Sequence, residues 1–405
     1  MTGAAVFNTG GAAGNVQPYF ITQAVTDLDD SKTLDQQPEL AAIQDQALQA
    51  AGAFTAFIGG ATQGLDIAIY DFRLLPGPLE DEFLGAIRAA ARRGVSVRLA
   101  YDKSAESSEE TGLKAFGGAG GDPAPVGTHT FLARAQFPAN VEVRPILEEA
   151  IDPGTQIMHN KYMVRDAGTP AAAVLMGSAN FTTDAWGIQD NNVLVITGTT
   201  DLATAYERDF TDLWTTQRLT GTGKADIGSV TVSGIDIGYS FAPGEGKATE
   251  SAIAAAVSAA ATRIRIASMV ISSPKILQAL AGQITAGRDV AGIYDGSEMR
   301  QVVSQWHRGA PGSASAQRLA LWQAVSPHLT AKASVPFTAN GPHNFMHNKV
   351  VVADDVVSTG SFNLSTNATR NAENVLRLAS RDLADQYAAY IDGLVQRYAQ
   401  APGAH

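Results

Sequence analysis

ATQGLDIAIYDF at residues 61–72, with FLGAIRAAARRGVSVRLAYD at 83–102 behind it, reads as strand, helix, strand; SAAATRIRIASMVI at 258–271 and ILQALAGQITAGRDVAGIYD at 276–295 repeat the reading. Leu65 to Phe72 and Ile264 to Ile271 are apolar runs of buried-strand length. Ala86 to Ala91 and Leu277 to Ile284 continue helical patterns. Each helix runs to a glycine, Gly94 or Gly287, the residue favoured in the left-handed position just past a helix end. Both second strands finish in Tyr-Asp, at Tyr101-Asp102 and Tyr294-Asp295. A strand–helix–strand of this length is a right-handed crossover between parallel neighbours. Each half is therefore expected to be α/β, with a mixed, mostly parallel sheet and helices on its faces.

Outward from the repeat, 218–248 (RLTGTGKADIGSVTVSGIDIGYSFAPGEGKA) is rich in Gly, Ser and Thr. It reads as a linker plus the first strand of half two, which puts the halves at 1–225, including an N-terminal extension, and 226–405. Residues 103–128 and the longer insertion 296–343, with Trp306 and Trp322, read as irregular. Both follow Tyr-Asp strand ends, where loops border the site in parallel sheets. A length of 405 fits two or three domains or one large duplicated unit, and 45% hydrophobic against 17% charged residues is globular. The absence of cysteine excludes disulfides, thiol catalysis, iron–sulfur clusters and Cys-ligated zinc. A net charge of −11 argues against a broad nucleic-acid footprint and against anionic membrane surfaces. No run of about 18 apolar residues predicts a transmembrane helix. The opening MTGAAVFNTGG lacks the basic and apolar regions of a signal peptide. The compartment stays open: cytoplasmic, or secreted if a leader has been removed.

The repeat continues into residues that carry chemistry. Half one has His159-Asn-Lys161, Asp166 and Gly177-Ser178-Ala-Asn180; half two has His347-Asn-Lys349, Asp354 and Gly360-Ser361-Phe-Asn363. His and Lys one residue apart on a strand share a face. Each copy offers an imidazole, an ammonium, a hydroxyl and a carboxamide, the last three suited to phosphate oxygens. Neither a carboxylate cage for magnesium nor zinc-ligand spacing is present, so no metal or other cofactor is expected. Two copies face to face make a metal-free phosphoryl-transfer site. One imidazole attacks phosphorus, lysines and asparagines hold the equatorial oxygens, and the other imidazole protonates the leaving oxygen.

HxKxxxxD followed by GSxN, present twice, resembles the phospholipase D superfamily. The pattern falls on His159, Lys161, Asp166, Gly177, Ser178 and Asn180, and again on His347, Lys349, Asp354, Gly360, Ser361 and Asn363. The match covers roughly residues 60–400 and leaves about the first 50 outside. The resemblance implies a two-lobed pseudo-twofold duplication, an interface active site and a covalent phosphohistidine, with His159 the nucleophile and His347 the acid. Half one has ten residues between Asp166 and Gly177 where half two has five between Asp354 and Gly360, a difference that a longer hairpin at AGTPAAA absorbs.

Asp166 and Asp354 are expected to satisfy turn amides. Asp190 and Glu373, each ten residues past a GSxN asparagine, are candidates for fixing a histidine tautomer, with the histidine each reaches left open. Ser178 and Ser361 donate either to phosphate or to a nearby carboxylate, and the glycines permit close backbone approach. His129, His307, His328, His343 and His405 lack a lysine partner and are assigned to surface or loop, with His343 a minor exception because it lies four residues before His347. Trp214 is assigned to the core, and Trp186, between Asn180 and Asp190, to the pocket border. The expected substrate is a phosphodiester, with a phospholipid headgroup favoured; a nuclease or nucleotide phosphodiesterase, and a non-catalytic phosphate binder, are the alternatives. Cardiolipin-synthase-type transfer is disfavoured for want of a membrane-anchoring segment. One chain carries both motifs, so a monomer is expected to suffice.

Overall fold

The computed structural model describes residues 6–102, 127–146, 156–338 and 341–399. In half one, β3 (Gly64–Ile69), α2 (Pro78–Arg92) and β5 (Ser96–Asp102) form the crossover, preceded by α1 (Leu40–Gly59). In half two, α6 (Gly246–Ala259), β13 (Arg263–Ser268), α7 (Pro274–Thr285) and β14 (Asp289–Asp295) repeat it. Pro274 opens α7 while the Ser273 hydroxyl accepts from the Ile276 N–H, a paired start signal. Gly94 and Gly287 stand at φ +93° and +72°, beyond the reach of a side-chain-bearing residue without strain.

The two sheets have the same order. The first runs β1 (Val6–Thr9), β2 (Val16–Thr22), β10 (Asn191–Thr197), β8 (Ala173–Gly177), β7 (Lys161–Arg165), β3, β5, β6 (Val141–Ile146). The second runs β11 (Ile227–Val232), β12 (Ile235–Ala242), β18 (Glu373–Ala379), β17 (Val356–Gly360), β16 (Lys349–Ala353), β13, β14, β15 (Thr330–Lys332). Strand faces alternate between two cores. Tyr162, Val164, Val174 and Met176 join Val350, Val352, Leu376 and Leu378 in one apolar cluster shared by both halves, with α5 (Thr200–Thr216) and α10 (Arg381–Ala399) inside it. Met163 and Leu175 face α1 and α2, and Ile266 and Val351 face α6 and α7. The layers are thus helix, sheet, helix, sheet, helix.

Three expectations need correction. The sheets are mixed, as expected, but mostly antiparallel: only β3–β5–β6 and β13–β14–β15 are parallel within them. Hairpins at β7–β8 and β16–β17 need only short turns, so half of each sheet is built without crossovers. The first residues are not an appendage: β1–β2 occupy the places of β11–β12, and β2 pairs with β10 as β12 pairs with β18. The insertion after Asp295 is largely helical, α8 (Gly296–His307) and α9 (Ala314–Val325) followed by β15. Its counterpart in half one, at 103–126, lies outside the described residues; α3 (Thr128–Arg134) follows it. The longer half-one hairpin is the 166–172 turn between β7 and β8. Among the described residues, no helix is long and apolar enough to cross a membrane.

Candidate active site

His159 and His347 each stand just ahead of a central strand, β7 or β16, and each is fastened to the opposite half. The His159 N–H donates to Ala372 O at 2.8 Å, and the His347 N–H donates to Asp190 O at 3.0 Å. Met158 bridges to Ala372, and Met346 to Asp190, as parallel pairs across the interface. The side chains cross it too. His159 Nδ1 donates to Glu373 Oε2 at 2.8 Å, and His347 Nδ1 donates to Asn191 Oδ1 at 2.9 Å. Ser361 donates to the same Glu373 oxygen at 2.6 Å, and Ser178 to the same Asn191 oxygen at 2.8 Å. All six side chains are buried.

Lys161 and Lys349 share the faces of their histidines, as a strand period of two requires. Each folds back so that its ammonium donates to its own histidine's carbonyl, at 2.9 and 2.8 Å. The amide oxygens of Asn180 and Asn363 are buried without a hydrogen-bond donor among the described residues. An amide carries a donor end and an acceptor end, and the N–H end is the one a phosphate oxygen would take. The glycines ahead of Ser178 and Ser361 are there for space. A Cβ at Gly177 would lie 2.2 Å from Asn192 O, and one at Gly360 would lie 2.0 Å from Asn374 O. Among the described residues, no group of three His, Asp or Glu could hold a metal ion.

Asp166 and Asp354 sit at φ +52° and +49°, away from the histidines. The Asp166 carboxylate accepts the N–H groups of Thr62, Gln63 and Gly64; that of Asp354 accepts those of Ala261, Thr262 and Arg263. Partial burial pushes the Asp354 carboxyl up, but the Thr262 hydroxyl and these amides outweigh it and hold the group well below the usual carboxylate range.

The place expected for Asp190 is taken by its neighbour. Asn191, not Asp190, heads β10 as Glu373 heads β18, since Val193 pairs with Gly177 as Val375 pairs with Gly360. Half one carries one extra residue between the asparagine and this strand, in the turn formed by β9 (Phe181–Thr182) and the short α4 (Thr183–Gly187). The Asp190 carboxylate instead accepts from Lys332 Nζ at 2.7 Å, from the Tyr398 hydroxyl and from the Gln23 N–H. Burial lowers the Lys332 ammonium even with Asp190 beside it.

Sequence spacing also missed the residues that aim the two histidine loops. Asp102 Oδ2 accepts from the Met158 N–H at 2.6 Å, and Asp295 Oδ2 from the Met346 N–H at 2.9 Å. Their signal was visible as the repeated Tyr-Asp strand ends. Tyr70, the residue after β3, packs its ring 4.9 Å from that of His159 and lies under the Lys161 ammonium. Between His159 and Lys161, Asn160 points the other way, to Asp209 on α5, which also accepts from the Tyr162 hydroxyl at 2.7 Å. Complete burial pushes Asp209 far above the usual carboxylate range. His343 is not a surface residue: it is buried between the rings of Phe337 and Phe345, and desolvation lowers it. Trp186 is core, packed on Phe54 and Phe83. Trp306 and Trp322 are buried as well.

Comparison with known proteins agrees with this duplicated geometry. A family model described as "Cardiolipin synthase, PLD-like domain" matches residues 54–214 and again 253–395. The phosphatidylserine synthase structure from Haemophilus influenzae is similar over 87% of this chain and 85% of its own, at 15% identity and a TM-score of 0.56. Nuc from Salmonella typhimurium, a phospholipase D family member, is 24% identical over 40% of this chain and 95% of its own, with a TM-score of 0.30. No curated protein sequence matches. With the family model covering well over half of its length, once in each lobe, the chain belongs to the phospholipase D-like family of phosphodiester-acting enzymes.

Proposed function

We propose that this protein is a metal-independent phosphodiesterase that hydrolyses phospholipid headgroup esters through a phosphohistidine, with transfer to an alcohol as a side reaction. The observation that carries the reading is the crossed pairing of the two histidines. With Nδ1 of His159 donating to Glu373, the lone pair sits on Nε2, free of a proton and set to attack phosphorus. The N–P bond forms as the P–O bond to the leaving group breaks, and His347 gives that oxygen its proton. His347 then takes a proton from water or an alcohol, whose oxygen displaces His159. Lys161, Lys349, Asn180 and Asn363 hold the nonbridging oxygens through both steps.

Two features favour a lipid over a nucleic acid. Cations near the site are already matched by carboxylates: Arg73 by Asp71 and Asp184, and Lys332 by Asp190. Among the described residues, that leaves no long basic track there for a polyanion. Beyond the end of β14, a cavity of about 890 Å³ has an apolar wall of Met299, Val303, Trp322 and Leu329 facing the polar Arg300, Ser304 and His307, an amphipathic lining that gives an acyl chain one wall to lie on.

The test is turnover of phosphatidylcholine, bis-(p-nitrophenyl) phosphate and single-stranded DNA in excess EDTA. Activity on the first two and little on DNA is expected. With an activated ester, His347→Ala should accumulate a phosphoryl adduct on the His159 peptide, and His159→Ala should form none. Dependence on added metal, or an adduct on the His347 peptide, would overturn the corresponding part of the reading.

A further inference from the structure

The two imidazoles are held by unlike groups at equivalent positions. Glu373 heads β18 and puts a carboxylate oxygen on His159 Nδ1; Asn191 heads β10 and puts an amide oxygen on His347 Nδ1. The Asn191 amide has one orientation. Its Nδ2 donates to Ala185 O at 3.0 Å and to Gln189 Oε1 at 3.2 Å, while its Oδ1 also accepts from the Ser178 hydroxyl. An oxygen that faces His347 requires the proton of the neutral ring to be on Nδ1 and leaves Nε2 to face the reaction.

We propose that Asn191 is a positioning residue that fixes the tautomer of His347 without adding charge, and so divides the labour between the histidines. The inference rests on the phosphohistidine reading above. A phosphorylated imidazole carries positive charge, which the Glu373 carboxylate stabilises on the His159 side. The other histidine must gain and lose a proton in every turnover. A carboxylate on its Nδ1 would hold the imidazolium too firmly for that; the amide keeps the same geometry and lets the proton go. The unlike partners thereby give the site a direction, with the departing and incoming oxygens served from the His347 side.

Other charged groups around His347 are Lys349 on its own strand, Asp295 at the end of β14, and Asp190 with Lys332 behind the loop. Across the interface stand Glu373, His159 and Lys161. None of these changes in the variants that follow, so a displaced titration is assigned to position 191. The experiment has two readouts, the kcat–pH profile with a poor-leaving-group diester and the imidazole ¹⁵N shifts of His347. In the wild type, the neutral ring should show a protonated Nδ1 and a bare Nε2. Asn191→Asp should move the His347 titration and the alkaline limb of kcat up together by about 1–3 pH units, the usual effect of an adjacent opposite charge. Asn191→Ala should give a mixture of tautomers and lower kcat with KM little changed, and it serves if the aspartate variant does not fold. A wild-type ring protonated on Nε2, or a His347 titration unmoved in Asn191→Asp, would overturn the proposal. Should the ¹⁵N results hold while no diester is turned over, the fault lies with the proposed function rather than with the role of Asn191.

Discussion

Lys161 and Lys349 reach the site already tethered to their own histidine carbonyls, so little side-chain entropy remains to be lost when charge builds on a phosphoryl oxygen. Lys161→Met or Lys349→Met should lower kcat by about 10²–10³ with the far-UV spectrum unchanged, the usual cost of one lost oxyanion donor. Two aspartates that take no part in the chemistry should leave opposite marks on stability. Asp354 is depressed, so it stabilises the fold above the ordinary carboxylate pKa, and that contribution is lost as pH falls through its folded value. Asp209 is raised, so its contribution is present in acid and fades as pH climbs above the ordinary value. Urea midpoints against pH should therefore lose their acid-side slope in Asp354→Asn and flatten at higher pH in Asp209→Asn. The His, Lys, Asn and Ser positions were legible because strand periodicity and repetition both mark them. Asp190 was misjudged because counting along the chain is blind to one extra residue in a turn, which only the strand register exposes.

At the scale of elements, β5 and β14 act beyond their sheets. Each ends in an aspartate that accepts the N–H of the residue before a site histidine. Asp102→Ala or Asp295→Ala should cut kcat by roughly 10²-fold through misplacement alone, while KM stays within a few-fold. An unchanged kcat would show that the interface bridges hold the loops unaided. The crossovers were readable as apolar runs between glycine stops. The β1–β2 hairpin was not, because it has no partner nearby in sequence: β2 pairs with β10, far along the chain. The second helix of the insertion escaped for a different reason. Only Trp322 and Val325 of α9 are buried, too few to print a period on the sequence. If the cavity beside α8 seats an acyl chain, Val303→Trp should raise KM for a long-chain lipid and leave bis-(p-nitrophenyl) phosphate turnover untouched.

For the whole molecule, the shared core and the crossed hydrogen bonds make the halves interdependent. Lys332→Met would strand the Asp190 carboxylate beneath the interface and should cost about 3–5 kcal/mol in denaturant unfolding. Residues 1–225 and 226–405, expressed apart, should each form no phosphoryl adduct, because each histidine then lacks its Nδ1 partner; mixing them should restore adduct formation. The duplication was visible from sequence, but the crossing was not, since a repeat shows what is copied and not which copy it touches. That crossing bears on how such a site can change over time. Two identical subunits around a rotation axis must present the same neighbour to both histidines, so any substitution there strikes twice. Once both copies lie in one chain, the symmetry constraint lifts and a single residue can alter one histidine alone. Asn191 opposite Glu373 is an asymmetry open to a tandem duplicate and closed to its homodimeric counterpart.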